Sequence, residues 1–252
     1  MIIKVPDIFK KLAGPANLKP GQRFERKFAI LPANLDLTYS FLRQICRPDS
    51  IYPADRVTSL YFDTADLDQY QKSDSGEFMK NKVRIRWYGS DMNSDSAEVP
   101  VYLEIKQREG FASSKQRRKF IASKNLLETG RLLEGILDKT TISQTLASLG
   151  YFTEKTLRPV ILISYRRYRY SEIQTGVRVS FDRDIRATVV AADLKRQSGD
   201  VRLENGVIEV KGPSIDLPVT LRRLRFLDID WSRFSKYGNC MDAYFAQTGD
   251  IY

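Results

Sequence analysis

The chain contains no histidine among its 252 residues. That absence excludes a Ser/His/Asp triad, a Cys/His pair, His-ligated zinc and imidazole acid–base catalysis. Any chemistry must therefore run on Lys, Arg, Asp, Glu, Tyr or a metal ion. Cysteine is scarce as well, with Cys46 and Cys240 the two present. They lie far apart in segments of helical pattern, so they read as buried reduced thiols rather than a disulfide or redox pair, and a reducing cytoplasm is the expected setting. No apolar run approaches the length that spans a bilayer, and the opening MIIKVPDIFKKLAG has neither a long apolar stretch nor a small-residue cleavage site. Low-complexity tracts, internal repeats and long Pro/Gly/Ser linkers are missing too. One domain over residues 1–252 is expected, with residues 1–20 as an N-terminal extension.

Positive charge, by contrast, is plentiful. The 41 Lys and Arg against 31 Asp and Glu give a net charge of +10. Such a balance points to a polyanionic partner: nucleic acid, phosphorylated metabolites or an acidic membrane surface. A hydrophobic content of 42% allows a substantial core.

Alternation predicts eight strands, over 23–30, 57–64, 82–89, 101–109, 115–122, 160–170, 177–185 and 206–212. Helical patterns fall at 33–46, 125–139, 141–150 and 235–247. Short connections such as 90–100 and 171–176 suit hairpins, so the sheet is expected to be largely antiparallel. The fold class is α+β: a closed antiparallel eight-stranded β-barrel with helices packed outside.

The placement of charge on these strands narrows the function. In KVRIRWYG, Lys82, Arg84 and Arg86 share one face while Val83, Ile85 and Trp87 share the other, because successive side chains point to opposite sides of a strand. The same basic face returns with Glu104, Lys106 and Arg108, with Glu25 and Lys27, with Glu209 and Lys211, and with Arg178. Like charges at this spacing repel unless an anion or water sits among them. Two arrangements satisfy that condition: a wet cationic tunnel shaped for a chain of phosphates, or a solvated outer face that binds RNA or DNA nonspecifically. Glu25 and Glu209 favour the tunnel, since carboxylates repel a phosphate backbone yet suit a divalent metal bridging phosphate oxygens. Asp63 in YFDT reads as a turn cap.

In order along residues 24–238, FERKF, SLYFDT, KVRIRWYG, LEIK, SKQRRKF, RPVILISYRRYRY, VRVSFD, IEVKG and FSKYG resemble the VTC domain. This is the polyphosphate polymerase domain of the vacuolar transporter chaperone family, within the triphosphate tunnel metalloenzyme superfamily. The resemblance implies a β tunnel in which the terminal phosphoryl group of ATP is added to polyphosphate. It implies phosphate-gripping, catalytic roles for Lys27, Arg84, Arg86, Lys106, Arg118, Arg167, Arg178 and Lys236. Lys115, Tyr165, Lys211 and Glu25 would contact substrate, and Glu209 would hold Mn²⁺ or Mg²⁺. Lys236, just before a helical pattern, suits a lid or plug at one mouth. In the run 166–169 only one set of cations can point inward, and the motif selects Arg167. The sequence departs from the superfamily at Arg23, which stands where an acid opens the usual motif; that departure fits the VTC branch better than a two-metal hydrolase.

Expected partners are ATP and polyphosphate, with a membrane protein as an optional further one and nucleic acid disfavoured. Two rivals remain open. One is a hydrolase of tripolyphosphate or nucleoside triphosphate that uses water in the same tunnel. The other is a noncatalytic polyphosphate or nucleic-acid binding module. Adenylate cyclase chemistry ranks low, because no ordered adenine-reading motif appears.

Overall fold

The structure, a computed structural model, describes residues 23–249 apart from 110, 111, 136, 196–198, 228 and 230. The predicted N-terminal extension lies outside the described residues. Among the described residues ten strands form: β1 (Arg23–Ile30), β2 (Cys46–Pro48), β3 (Ala54–Asp63), β4 (Met79–Tyr88), β5 (Glu98–Glu109), β6 (Ala112–Ser123), β7 (Arg158–Glu172), β8 (Arg178–Val189), β9 (Asp200–Leu203) and β10 (Gly206–Gly212). All eight expected strands are among them. The two additions, β2 and β9, are too short for alternation to reveal.

The wall runs β7-β3-β4-β5-β6-β1-β10-β8 and returns to β7, every neighbour antiparallel. The return is a long ladder from Ile161↔Val189 to Ser171↔Arg178. The joint between β6 and β1 is shorter: among the described residues it holds Arg23↔Ser113 and Phe24↔Ala112. The expected antiparallel barrel is therefore an approximate one, narrowest in its pairing at this joint. Beyond Phe24 the edge of β1 takes another partner: Ser232 N donates to Lys27 O at 2.9 Å, Ala29 N donates to Ser232 Oγ at 3.1 Å, and Phe28 bridges to Trp231. A strip at 231–234 thus satisfies backbone groups that β6 leaves unpaired.

Among the described residues six α-helices accompany the sheet: α1 (Leu35–Ile45), α2 (Asp68–Asp74), α3 (Gly89–Met92), α4 (Lys124–Glu128), α5 (Lys139–Ser148) and α6 (Lys236–Thr248). The helix expected over 125–139 is broken. Gly130 adopts φ 72°, a left-handed conformation that ends α4, and a 3₁₀ turn at Leu132–Glu134 follows. Among the described residues no helix is long and apolar enough to cross a membrane.

Three cores result, and their positions decide where a site can form. Outside β3–β5, the residues Ile85, Leu103 and Ile105 pack under α4 and α5 through Leu127, Ile142 and Leu146. Outside β1, β10 and β8, the residues Phe28, Phe181 and Ile208 pack under α1 and the 3₁₀ helix Leu221–Leu227. The third core lies inside the wall, where Tyr237, Cys240, Met241, Tyr244 and Phe245 of α6 meet Val57, Ile163, Ala187, Val189 and Val207. The expectation that all helices pack outside is therefore corrected for α6. Most of these inward-facing neighbours are small or aliphatic, and Tyr61 stacks on Tyr237, so the apolar side chains of the helix fill this half of the interior. Ser235 Oγ caps the start of α6 by accepting from Gly238 N at 3.0 Å, and Gly249, at φ 73°, ends it. Both cysteines are free and buried. Cys46 opens β2 instead of lying in a helix.

Candidate functional site: a cationic cavity inside the wall

Where α6 stops, the interior changes from apolar to charged. The alternation of β4 turns Lys80, Lys82, Arg84 and Arg86 inward, while Val83, Ile85 and Trp87 join the outer core. Across the ladders Lys82 faces Lys106, Arg84 faces Glu104, Lys27 faces Glu209, and Arg167 faces Asp182. Together they enclose a cavity of about 470 Å³. Its lining among the described residues holds eleven Lys and Arg against two acids, Glu77 and Glu209. The tunnel face is basic, as the strand pattern predicts.

Four buried carboxylates hold these cations in place. Glu104 Oε2 accepts from Arg84 Nε at 2.9 Å and Nη2 at 2.7 Å, and Glu104 Oε1 accepts from Lys115 Nζ at 2.8 Å. Asp182 accepts from Arg167 at 2.6 and 2.7 Å, and Lys236 Nζ stands 2.6 Å from it. Glu209 is ringed by Lys211 at 3.0 Å, Lys236 at 3.2 Å, Arg167 at 3.3 Å and Lys27 at 3.8 Å. Glu25 takes both its bonds from Lys106, at 2.8 and 2.9 Å, with Lys27 at 3.5 Å and Lys211 at 3.7 Å. Arg86 is fixed by neutral acceptors, donating to Ser59 Oγ at 2.9 Å and Tyr165 Oη at 3.1 Å. Bidentate guanidinium pairs of this kind fix direction as well as charge.

Titration follows from this packing. Burial pushes the Glu104 carboxyl up, but Arg84, Arg86 and Lys115 outweigh it and hold the group below the ordinary carboxylate range. Glu209 is lowered in the same way, burial being overcome by Lys211, Lys236 and Arg167. The lysines divide. Burial brings Lys106 down to about 7 despite Glu25, with Lys27 and Lys211 adding to the fall. Lys82 is also lowered well below its ordinary value, by burial first and then by Lys27 and Lys106. Among the described residues no carboxylate pairs with Lys82, whose ammonium donates to Ser235 Oγ at 2.6 Å and Ser73 Oγ at 3.0 Å. Lys211 is raised instead, because Glu209 and Glu25 overcome its burial.

The predicted residues fall into three groups. Lys27, Arg84, Arg86, Lys106, Tyr165, Arg167, Glu209, Lys211 and Lys236 line the one cavity. Lys115 and Glu25 stand behind the lining, holding Glu104 and Lys106 respectively. Arg118 and Arg178 are not brought in. Arg118 faces Leu103 across the ladder and so belongs to the outer face, with its guanidinium 3.5 Å from Ser148 Oγ on α5. This corrects the expectation that Arg118 grips phosphate. Lys115 and Arg118 are an odd number of positions apart and cannot share a face; Arg117, opposite Glu104, has the inward register. Arg178 lies opposite Lys211 but stays exposed at the end of β8. Arg167 is the inward member of its run, while Arg166 lies over the Tyr168 ring and Arg169 over the Tyr88 ring.

Sequence reasoning passed over Lys82, Lys80, Arg108 and the carboxylates Glu104 and Asp182 as site residues. Parity with Arg84 and Lys106 would have selected all but Asp182. Asp63 is a cap, as expected: it accepts from Thr64 N, Gln69 N and Tyr70 N at the start of α2, and from Tyr237 Oη at 2.7 Å. Lys236 sits on the first turn of the helix that fills the other half of the interior.

For a divalent ion the donors are sparse. Among the described residues no three Asp, Glu or Cys side chains gather in metal-binding range. Glu209 lines the cavity, and Glu25 stands behind it, the two sharing Lys27 and Lys211. A single carboxylate facing the cavity suits an ion such as Mg²⁺ that draws its remaining ligands from phosphate oxygens and water, but not an ion held by protein alone.

The profile of the VTC domain family matches residues 22–245. No curated protein sequence matches the chain. Among solved structures, a Hippeastrum protein named for adenylyl cyclase and found with a dominant triphosphatase activity is 17% identical; the match covers 91% of this chain and 97% of that one, with a TM-score of 0.45. A Bacillus halodurans protein named as an adenylate cyclase is also 17% identical, with coverage of 85% and 95% and a TM-score of 0.48. At that distance these likenesses carry nothing about activity.

Proposed function

The chain belongs to the VTC domain family, and from that premise we propose that it transfers the terminal phosphoryl group of ATP to polyphosphate inside the cationic cavity. The observation that carries this reading is the convergence of Arg84, Arg86, Lys106, Arg167, Lys211 and Lys236 from four strands and one helix on a single cavity. Phosphoryl transfer asks for little covalent work from a protein; the barrier falls when the group is held in line and its spreading charge is met by fixed positive groups. The guanidinium groups of Arg84 and Arg167 are already locked against Glu104 and Asp182, so little reorganisation accompanies binding. A terminal phosphate of polyphosphate is itself an anionic nucleophile, which removes the need for a histidine base. Glu209 would hold Mn²⁺ or Mg²⁺, which when bound neutralises charge on the phosphate oxygens. Lys82, which among the described residues donates to the neutral Ser73 and Ser235 and pairs with no carboxylate, would exchange those hydroxyls for an incoming phosphate.

Incubation of the protein with ATP, Mn²⁺ and a polyphosphate primer tests the proposal through its products. Elongated polyphosphate supports it, and free phosphate as the sole product assigns the tunnel to hydrolysis. Glu209→Ala is expected to abolish turnover while inorganic tripolyphosphate still binds. Turnover unchanged in that variant would sink the role given to Glu209.

A further inference from the structure

At the outer rim of the cavity two large aromatic side chains stand open to solvent, Phe78 at 65% exposure and Trp231 at 47%. Both line the same cavity as the cations. They come from different places: Phe78 immediately precedes β4, and Trp231 belongs to the strip along the edge of β1. Arg233 draws the two sides together. A Cβ added at Gly76, whose φ is +78°, would lie 2.8 Å from Arg233 Nη1, so the guanidinium of the strip lies directly over the loop that carries Phe78. Lys80 and Arg108 begin the cationic lining beside them.

Exposed rings at the rim of a strongly basic cavity add nothing to the grip on phosphate, whose oxygens want charge and N–H donors. They do suit a flat apolar group joined to a chain of phosphates. We propose that Phe78 and Trp231 form a stacking rim for the base of a nucleoside triphosphate whose phosphates occupy the cavity. Resting on the reading of the cavity as a phosphate site, the rim adds the discrimination that reading lacks: it favours a nucleotide donor over bare polyphosphate at this mouth. Stacking on an aromatic face contributes on the order of a tenfold or greater gain in affinity per base.

Calorimetric titration of the full chain with ATP and, separately, with inorganic tripolyphosphate tests this. Phe78→Ala and Trp231→Ala are each expected to weaken ATP roughly tenfold and leave tripolyphosphate unchanged, with Trp231→Phe close to the parent for both. Unchanged ATP affinity in the alanine variants overturns the rim, and so does an equal loss for both ligands. Phe78→Ala, in an exposed position, decides the matter if Trp231→Ala does not fold. A parent protein that binds neither ligand overturns the phosphate reading together with the rim, whereas intact tripolyphosphate binding with insensitive ATP binding removes the rim alone.

Discussion

Glu104 shows how much of this molecule depends on single charges. It is fully buried, at 0% exposure, and it serves Arg84, Arg86 and Lys115 at once. Replacing it by alanine strands those cations, and breaking a buried pair costs about 3–5 kcal/mol. Glu104→Ala is therefore expected to lower the stability measured by urea unfolding by about that amount, while addition of tripolyphosphate recovers part of the loss. Lys106 carries a second prediction. Its folded-state value falls from an ordinary 10.5 to about 7. In that window the unfolded chain binds the proton more tightly than the folded one, so this lysine makes stability rise with pH between those values. Polyanion binding restores the proton, so tripolyphosphate affinity is expected to fall across the same window. Titrations at pH 8.5 in two buffers of different ionisation enthalpy should reveal proton uptake, and Lys106→Met should reduce it.

Among the elements, α6 has two tasks that meet at Lys236. Its apolar side fills one half of the interior, and its first turn delivers an ammonium to Asp182 and Glu209. Met241 is fully buried among inward-facing residues. Met241→Ala should cost about 2–5 kcal/mol in denaturant unfolding, since the surrounding wall cannot collapse to fill the space. Cys240 lies on the same helix, and burial pushes its thiol up to about 12, as it does for Cys46. Both thiols are expected to resist a thiol reagent at neutral pH and to react in urea; rapid labelling of the folded protein would contradict the packing of α6. The helical pattern of this segment was visible in its residues, yet periodicity only says that one side is apolar. Which surface receives that side depends on Ala187, Val189 and Val207, from strands distant in sequence.

For the whole molecule, the decisive feature is an interior that combines an oily half with a charged half. The excess of cations around the cavity predicts a large response to polyanions. Tripolyphosphate at a hundred times its Kd should stabilise the fold by about 2.7 kcal/mol, read as a rise in Tm. That gain should shrink as salt is added, because ions screen charges that face water in the cavity. A Tm indifferent to both would contradict the arrangement.

Strand positions and the shared basic faces of Lys82, Arg84 and Arg86, of Lys106 and Arg108, and of Glu209 and Lys211 followed from alternation, because a period of two is a local property of the backbone; Arg167 and Lys236 came from the resemblance of their motifs. Alternation also contained the inward register of Arg117, although SKQRRK read as a motif points to Arg118. What only the tertiary structure decided was everything set by which strands become neighbours: the pairing of Glu104 and Asp182 with arginines, the placing of Trp231 and Ser232 along the edge of β1, and the entry of α6 into the barrel. Those depend on contacts between residues as much as 207 positions apart, such as Lys27 Nζ donating to Phe234 O. No local period encodes them, since they arise when the chain satisfies buried charges and backbone groups from whatever segment lies nearest in space.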